Sequence, residues 1–347
     1  MNKIFAVLGV IILLLLVIIF IPHNTVSNTA INTYLITLKN VPEGKGMYQQ
    51  LININLSYPY GINSNGSNIL FKDGSNNTFL YAWIQSINAT NLQVWIKNYN
   101  NSILIEMMIL PQYENLFSNT GYLGEAPQLS LNYAEYDNGL KVFPLYYNFI
   151  NTIEVSGWVG ENYIINDGLS WSVNNTTRFY ITSQIFTYNQ NSTITDFYFK
   201  SSLPETNLFI NGMNSEINDW ESNIVNNSLV PFVHGGDYGI GSLRIIKPVN
   251  VINGQILGIN LGVGRFFVDN QNFSYINAGL SGNEFQWYFS GNGGNGYVPY
   301  VFTSDVGNND AMPTFTISPI GTAPNPLYLS NSFTISNILL MDEKVKL

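Results

Sequence analysis

The sequence contains no cysteine and few charged residues, which excludes disulfide bonds and a highly charged surface. Cysteine is absent from all 347 residues, so no disulfide holds the chain and a folded body must rely on its own core. Charged residues make up 10% of the chain, far below the usual quarter, so its water-facing surface must consist of Asn, Ser, Thr, Gln and Tyr. The 13 basic and 22 acidic residues give a formal charge of −9 and provide no basic stripe for a phosphate backbone. Nucleic acid is therefore not predicted as a partner.

Histidine is almost as scarce, since the chain has only His23 and His234. A Ser-His-Asp triad or a multi-histidine metal site therefore has almost no material. His234 stands near Asp237 in a glycine-rich stretch, where it could serve as a base or a metal ligand, although a histidine in such a loop is more often structural. The surrounding glycines lack the strand and helix that a phosphate loop requires.

One long apolar run is present, at residues 4–21, and it contains no charged or polar side chain. At about 1.5 Å per residue a helix of this length spans roughly 27 Å, close to the ~30 Å hydrocarbon core of a membrane. We therefore predict a transmembrane anchor at 1–22, with Lys3 keeping the N-terminus inside and the body outside a cell or virion. A cleaved secretory signal is the alternative, but the run is longer than such signals and no small-residue cleavage site follows it.

Beyond the anchor, polar turn-forming residues separate short runs in which apolar and polar residues alternate. The run 48–56 is typical, and others follow at the regular spacing of an all-β unit. A helix signal is weak throughout, with the exception of the run 213–225, which could form a short helix. We predict an all-β fold in which a single N-terminal transmembrane helix is followed by two β-sandwich domains of jelly-roll type.

The predicted organisation has six parts. They are a transmembrane anchor at 1–22, a stalk or linker at 23–46, a first β-domain at 47–115, a connector at 116–139, a β-sandwich at 140–318 and a C-terminal tail at 319–347. Three prolines mark the start of the tail. Its alternating run could add a strand to its own sheet or to the sheet edge of a neighbouring molecule.

Four successive runs carry a resemblance to a known family. They are Tyr-Gln-Gln-Leu-Ile-Asn-Ile at 48–54, Asn-Ile-Leu-Phe-Lys-Asp-Gly at 68–74, Leu-Tyr-Ala-Trp-Ile-Gln-Ser at 80–86 and Leu-Gln-Val-Trp-Ile-Lys at 92–97. In this order they resemble DUF2341, a domain of exported archaeal and bacterial surface proteins. The run 110–115 departs from the family, which usually has a Tyr-Tyr-Gly-Asn type of turn there.

The resemblance extends beyond this first domain. The runs 124–130, 136–139 and 142–149 resemble the connector that leads such domains into a concanavalin-like, laminin-G-like sandwich, and 297–303 with 312–317 resemble its closing strands. The resemblance implies a surface role on an archaeal cell or virion. It supplies no catalytic residue.

Sandwiches of the concanavalin class include glycosidases, which use two carboxylates about 5 to 10 Å apart. Glu135 and Asp137 are predicted on one strand face, and a second acid cluster occurs at Glu216, Asp219 and Glu221, but neither has the Glu-x-Asp-x-x-Glu pattern of that class. The stretch 305–310 could supply oxygen ligands to calcium, yet it lacks the regular spacing of a calcium loop. We therefore predict no enzymatic activity, no cofactor and no metal site.

A repeated chemical signal is the glycosylation motif Asn-x-Ser/Thr. Ten candidate acceptors occur: Asn55, Asn65, Asn76, Asn88, Asn100, Asn174, Asn175, Asn191, Asn226 and Asn272. In a chain so rich in Asn and Ser, many of these motifs arise by chance. We expect several of the acceptors in turns to carry glycan.

These observations predict a membrane-anchored, glycosylated structural or attachment protein on the surface of an archaeal virion or cell envelope. Its expected partners are a lipid membrane and copies of itself or other coat or envelope proteins. The alternative is a lectin-like adhesin that binds cell-surface glycans. Candidate aromatic residues for that role, equally explicable as core, are Tyr58, Tyr60, Trp158, Trp171 and Trp220.

The sparse charge also motivates the hypothesis of an acid habitat. Near pH 2 to 3 most carboxylates are protonated, which leaves a net charge of about +15 from the bases and histidines. So few charges make this change tolerable.

Overall fold

A computed structural model describes residues 30–44, 46–58, 60–187, 284–305 and 312–320, together with the β-strands between 193 and 275. Within these ranges the secondary structure is almost entirely β-strand, with two helices of one turn each. The all-β character expected of the body is thereby confirmed. No helix in the described ranges is long and apolar enough to cross a membrane. The predicted anchor at 1–22 lies outside them.

The first half of the described chain contains eight strands and both helices. The strands are β1 (Asn32–Lys39), β2 (Met47–Asn55), β3 (Ile69–Asp73), β4 (Phe79–Leu80), β5 (Ala82–Ile87), β6 (Asn91–Tyr99), β7 (Leu104–Ile109) and β8 (Leu123–Glu125), and the helices are α1 (Leu116–Asn119) and α2 (Gly139–Val142).

The second half contains the remaining strands. They are β9 (Leu145–Tyr147), β10 (Val159–Glu161), β11 (Ile164–Ile165), β12 (Leu169–Thr182), β13 (Phe186–Thr187), β14 (Thr193–Ser201), β15 (Glu205–Asn211), β16 (Asp219–Val225), β17 (Ser228–Gly235), β18 (Ser242–Ile245), β19 (Val249–Asn250), β20 (Gln255–Asn260), β21 (Arg265–Val268), β22 (Gln271–Tyr275), β23 (Glu284–Val298), β24 (Val301–Asp305) and β25 (Thr314–Pro319).

The strands of the first half, together with β25, form two sheets. One has five strands in the order β25-β1-β7-β3-β4, and the other has four in the order β2-β6-β5-β8. All pairs in them are antiparallel except β5 with β8, which is parallel. The strands of the second half pair in a network whose main path runs β18-β17-β16-β15-β23-β14-β20-β21-β22.

A first hydrophobic core lies between the five-stranded and four-stranded sheets. Alternate residues of β1, namely Tyr34, Ile36 and Leu38, are buried in it, as the period of two in a strand dictates. From the other sheet, Val94 and Ile96 of β6 contribute to the same core. These two sheets therefore form a β-sandwich.

The opposite face of the four-stranded sheet is also buried. Its Trp83 and Trp95 belong to a second core with Phe143, Tyr146 and Phe302 from the later part of the chain. The Trp83 ring meets the Phe143 ring edge-on with centroids 5.2 Å apart, a favoured aromatic geometry. Since both faces are covered, seven consecutive residues of β2 are buried.

Two local expectations can be compared with these elements. The run 213–225 could have formed a short helix, but its described part, Asp219–Val225, is strand β16, paired with β15 on one side and β17 on the other. Pairing on both edges outweighs a weak local helix preference. The alternating residues 34–38, within the predicted stalk, lie in strand β1.

Strand β25 occupies a place that the sequence does not suggest. The residues 312–317 were expected among the closing strands of the second sandwich, whereas β25 pairs with β1 at the edge of the five-stranded sheet. The domain boundaries given above remain a prediction. The pairing shows that the last described strand lies beside the first.

Candidate functional site

The carboxylate of Asp137 accepts four hydrogen bonds where the four-stranded sheet meets the second half of the chain. Trp83 Nε1 and the Gly139 backbone N–H donate to Oδ1, each at 2.9 Å. Tyr146 Oη donates to Oδ2 at 2.7 Å, and Asn148 Nδ2 donates to it at 2.8 Å. The donors come from β5, α2 and the segment around β9, so one side chain joins three parts of the chain.

The segment between β8 and α2 brings Asp137 to this place through a series of turns. Backbone N–H groups of Leu129, Ala134 and Asp137 donate to the carbonyls of Ala126, Pro127 and Ala134, and the chain then returns to β8 where Glu125 N donates to Tyr136 O. Ala134 adopts a left-handed conformation with φ of 59°, which these turns hold in place. The Asp137 side chain consequently points into the junction.

Burial raises the pKa of Asp137, while the four donated hydrogen bonds act in the opposite direction. Burial also raises the pKa of Tyr146 well above its ordinary value, and the nearby Asp137 carboxyl adds to this effect. Tyr146 is therefore a neutral hydrogen-bond donor to Asp137 at neutral pH.

Glu125 and Glu135 lie near Asp137 but in different environments. Glu125 is 5% exposed and accepts a 2.7 Å hydrogen bond from Ser130 Oγ; burial raises its pKa, and the charges of Glu135 and Asp137 contribute. Glu135 is exposed, and hydrogen bonds from Tyr136 and Asn132 lower its pKa.

The structure therefore brings three acids together, of which sequence reasoning identified only two. Glu135 and Asp137 do not share a strand face, because they lie in a turn region with Glu135 in solvent and Asp137 in the junction. Glu125 was missed because the strand that carries it, β8, has only three residues. In the described part of the chain, no group of three acid, histidine or cysteine side chains could hold a metal ion.

Tyr133 adds a second connection at the junction. Its hydroxyl lies within hydrogen-bonding distance of the carbonyl oxygens of Asn148 and Pro299, 2.7 Å from the latter. Burial raises the pKa of Tyr133, so the hydroxyl stays protonated. The connector is thereby attached to the start of the second half and to the short link between β23 and β24.

Five of the ten candidate glycan acceptors share one local geometry. In each, Oδ1 of the asparagine accepts the backbone N–H of the Ser or Thr two residues later, at 2.9 to 3.1 Å. All five asparagines are exposed. They are Asn55, Asn65, Asn76, Asn88 and Asn174.

The other five acceptors lie in different surroundings or outside the described residues. Asn100 is half-buried, and its Oδ1 is enclosed. Asn191 and Asn226 lie outside the described residues, while Asn175 and Asn272 are described only as positions in strands β12 and β22.

Three of the aromatic residues considered for glycan binding are core residues. Tyr60, Trp158 and Trp171 are 1%, 7% and 2% exposed, which leaves no ring face for a sugar. Trp171 stacks on Phe179 with centroids 4.2 Å apart. Tyr58 is half-buried, and Trp220 is described only as a position in β16.

The other candidate residues are only partly described. His234 is the direct cross-strand partner of Asp219, a pairing that the sequence did not reveal. His23, Glu216 and Asp237 lie outside the described residues, as do 306–310 of the candidate calcium stretch. Glu221 is a position in strand β16.

Comparison with known proteins gives one curated sequence relative. Over 128 residues, or 34% of this chain, the sequence is 34% identical to an uncharacterized protein of Sulfolobus islandicus rod-shaped virus 1. The aligned region is 22% of that relative, so the chain spans about a fifth of its length. No family model matches the sequence, and the resemblance to DUF2341 is therefore not confirmed.

Solved structures with a similar fold include carbohydrate-active proteins. An endo-β-1,3-glucanase from Pyrococcus furiosus matches 47% of this chain and 94% of its own, with 11% identity and a TM-score of 0.39. A carbohydrate-binding module from Bacillus subtilis matches 43% and 96%, with 12% identity and a TM-score of 0.33. The Crh5 transglycosylase matches 49% and 86%, with 10% identity and a TM-score of 0.36.

The prediction that this protein is not an enzyme is wrong, because the solved structures of similar fold include a glucanase and a transglycosylase. At such identities and TM-scores the likeness assigns neither an activity nor a residue to this chain.

Proposed function

We propose that this protein is a membrane-anchored structural protein on the surface of an archaeal virion or cell envelope, with its β-body outside. The observation that carries the proposal is the junction at Asp137. A body without disulfides that stands on a membrane needs its parts held together by packing and hydrogen bonds. Asp137 accepts four such hydrogen bonds at one point.

Aromatic packing at the same junction supports this role. Phe143 stacks on Phe302 with centroids 4.0 Å apart, and Trp95 meets Phe302 edge-on at 5.5 Å. These rings come from the four-stranded sheet, the residue after α2 and β24. In a chain that has no cysteine, burial of apolar surface is the dominant stabilising term, and large aromatic rings contribute much of it at this junction.

The location rests on two further observations. The apolar run 4–21 is long enough to serve as an anchor. The aligned relative is encoded by an archaeal virus, which favours the virion over the cell envelope. Assembly with copies of itself or with other coat proteins follows as part of the proposal, since β25 stands at a sheet edge immediately before the C-terminal tail.

The experiment treats intact virions or membranes with protease from outside and extracts parallel samples with alkaline carbonate. We expect the β-body to be digested, and the untreated protein to stay with the membrane after carbonate. Release by carbonate, or full protection from external protease, would contradict the proposal. Saturable binding of the body to host glycans, displaced by free sugar, would instead support the lectin-like alternative.

A further inference from the structure

We propose that Asn55, Asn65 and Asn88 carry N-linked oligosaccharides that form a glycan collar around one end of the first sandwich. This inference rests on the proposed function in one respect, because enzymatic glycosylation requires the body to face outward. It goes further by selecting three acceptors from ten and placing them together.

Two of these acceptors meet through their backbones. Asn55 is the last residue of β2 and pairs with Asn91, the first residue of β6, while Asn88 lies in the turn before it. Leu56 N donates a 2.8 Å hydrogen bond to Thr90 O, which joins the two motifs directly. Oligosaccharides on both asparagines would leave the protein from neighbouring points.

The third acceptor, Asn65, lies in the loop that leads from β2 to β3, at the same end. The next residue, Gly66, has φ of 76°, and a Cβ added there would lie 3.7 Å from Leu92 and 3.8 Å from Ile87. Those two residues flank the turn that contains Asn88. The loop that carries Asn65 therefore packs against the hairpin whose turn contains Asn88.

This end of the sandwich is also where the described chain begins. Ile31 N donates to Ile109 O at 2.8 Å, and Asn32 Nδ2 lies 3.5 Å from Tyr60 O in the loop that carries Asn65. Seven residues separate the predicted anchor from residue 30, and the eight Cα–Cα steps from residue 22 to residue 30 can span at most about 28 Å. With a retained anchor, the collar would lie on the membrane-facing side of the body.

The local geometry suits the chemistry of attachment. In glycosylation the Nδ2 atom forms a bond to the anomeric carbon of an activated sugar, the bond from that carbon to its phosphate leaving group breaks, and Nδ2 loses a proton. At all three sites Oδ1 is engaged by a backbone N–H, and Nδ2 donates no hydrogen bond within the described part of the chain. The modified amide can therefore keep its turn while the sugar extends into solvent.

Asn100 provides the contrast. It has the same motif, but its side chain is half-buried, and its Oδ1 is enclosed without a hydrogen-bond partner among the described residues. The hydroxyl of its motif serine, Ser102, is 5% exposed and donates to Asp73 Oδ1 at 2.9 Å. A glycan on Asn100 would require this side chain to turn outward, so we expect no glycan there.

The test is glycopeptide mass spectrometry of the protein purified from its native virions or membranes, with external protease accessibility measured on the same sample. Glycan at all three collar sites, with none at Asn100, is the expected result. An accessible body that lacks glycan at any collar site, or carries equal glycan at Asn100, overturns the collar and leaves the proposed function standing. An inaccessible body without glycan overturns both.

Two variants separate modification from folding. Ser57→Ala and Thr90→Ala destroy the motifs of Asn55 and Asn88 but keep the backbone N–H that each asparagine accepts. Each variant should fold normally and lose the mass of one glycan. Ser102→Ala is the matched control, and its glycan mass should not change.

Discussion

Replacing Asp137 with alanine should strongly destabilise the junction, because the change removes an acceptor shared by four donors. The Trp83 Nε1–H and the Gly139 N–H are buried and cannot rotate to another acceptor. Tyr146 can turn its hydroxyl, and Asn148 is half-buried, so both recover part of the loss.

The magnitude follows from the two fixed donors. A buried donor left without an acceptor costs about 1–3 kcal/mol, so the pair costs roughly 2–6 kcal/mol. The whole unfolding free energy of a domain is typically about 5–15 kcal/mol. Asp137→Ala should therefore lower the unfolding midpoint substantially or prevent folding. Asp137→Asn should cost less, because its Oδ1 still accepts from Trp83 and Gly139.

The assay is urea unfolding of the chain without the predicted anchor at 1–22. Tryptophan fluorescence monitors the unfolding, since Trp83 lies in the junction. Glu135→Ala is the matched control, because this acid lies two residues away but is exposed. We expect the highest unfolding midpoint for Glu135→Ala, a lower one for Asp137→Asn and the lowest for Asp137→Ala. Equal midpoints for Glu135→Ala and Asp137→Ala would refute the role assigned to Asp137.

Three further predictions concern pH, packing and assembly. Burial raises the pKa of Glu125, so the folded state binds the proton of this carboxyl more tightly than the unfolded state, in which a Glu pKa is about 4.3. The contribution of this proton to the free energy of unfolding is full below pH ~4.3 and is lost as the pH rises through the pKa of the folded state. Glu125→Gln should therefore flatten the fall in melting temperature from pH 4 to 7, and an unchanged slope would contradict this. Gly296→Ala should cost about 1–3 kcal/mol in urea unfolding, because the new Cβ would lie 1.8 Å from the buried Trp171 ring. Gly157→Ala is its control, because the new Cβ would meet the end of the exposed Gln184 side chain, and equal losses would contradict the packing argument. Deleting residues 324–347 should reduce incorporation into particles, measured by quantitative immunoblot, and normal incorporation would remove the tail from assembly.

Short apolar runs separated by turn-forming residues predicted several strands of the first sandwich. The runs 48–54, 80–86 and 92–97 lie largely in β2, β5 and β6. Their burial on both faces could not be predicted, because the cover over Trp83 and Trp95 comes from Phe143 and Phe302, far along the chain.

The site was less predictable for the same reason. Asp137 was recognised as an acid near Glu135, but its donors come from Trp83, Tyr146 and Asn148, which no short-range pattern connects. The local signal that was present is the Asp-Asn-Gly turn at 137–139, in which Gly139 N donates to Asp137. The pairing of β1 with β25 joins residues about 280 positions apart, and alternation cannot identify such partners.

The most direct test of the anchored surface protein is intact-mass analysis of the protein extracted from native virions or membranes. The account predicts a chain that retains residues 1–22 and carries additional mass from several N-linked oligosaccharides. A mature N-terminus between Ile21 and Ser27, on a chain without added mass, would contradict both the anchor and the outward-facing glycosylated body.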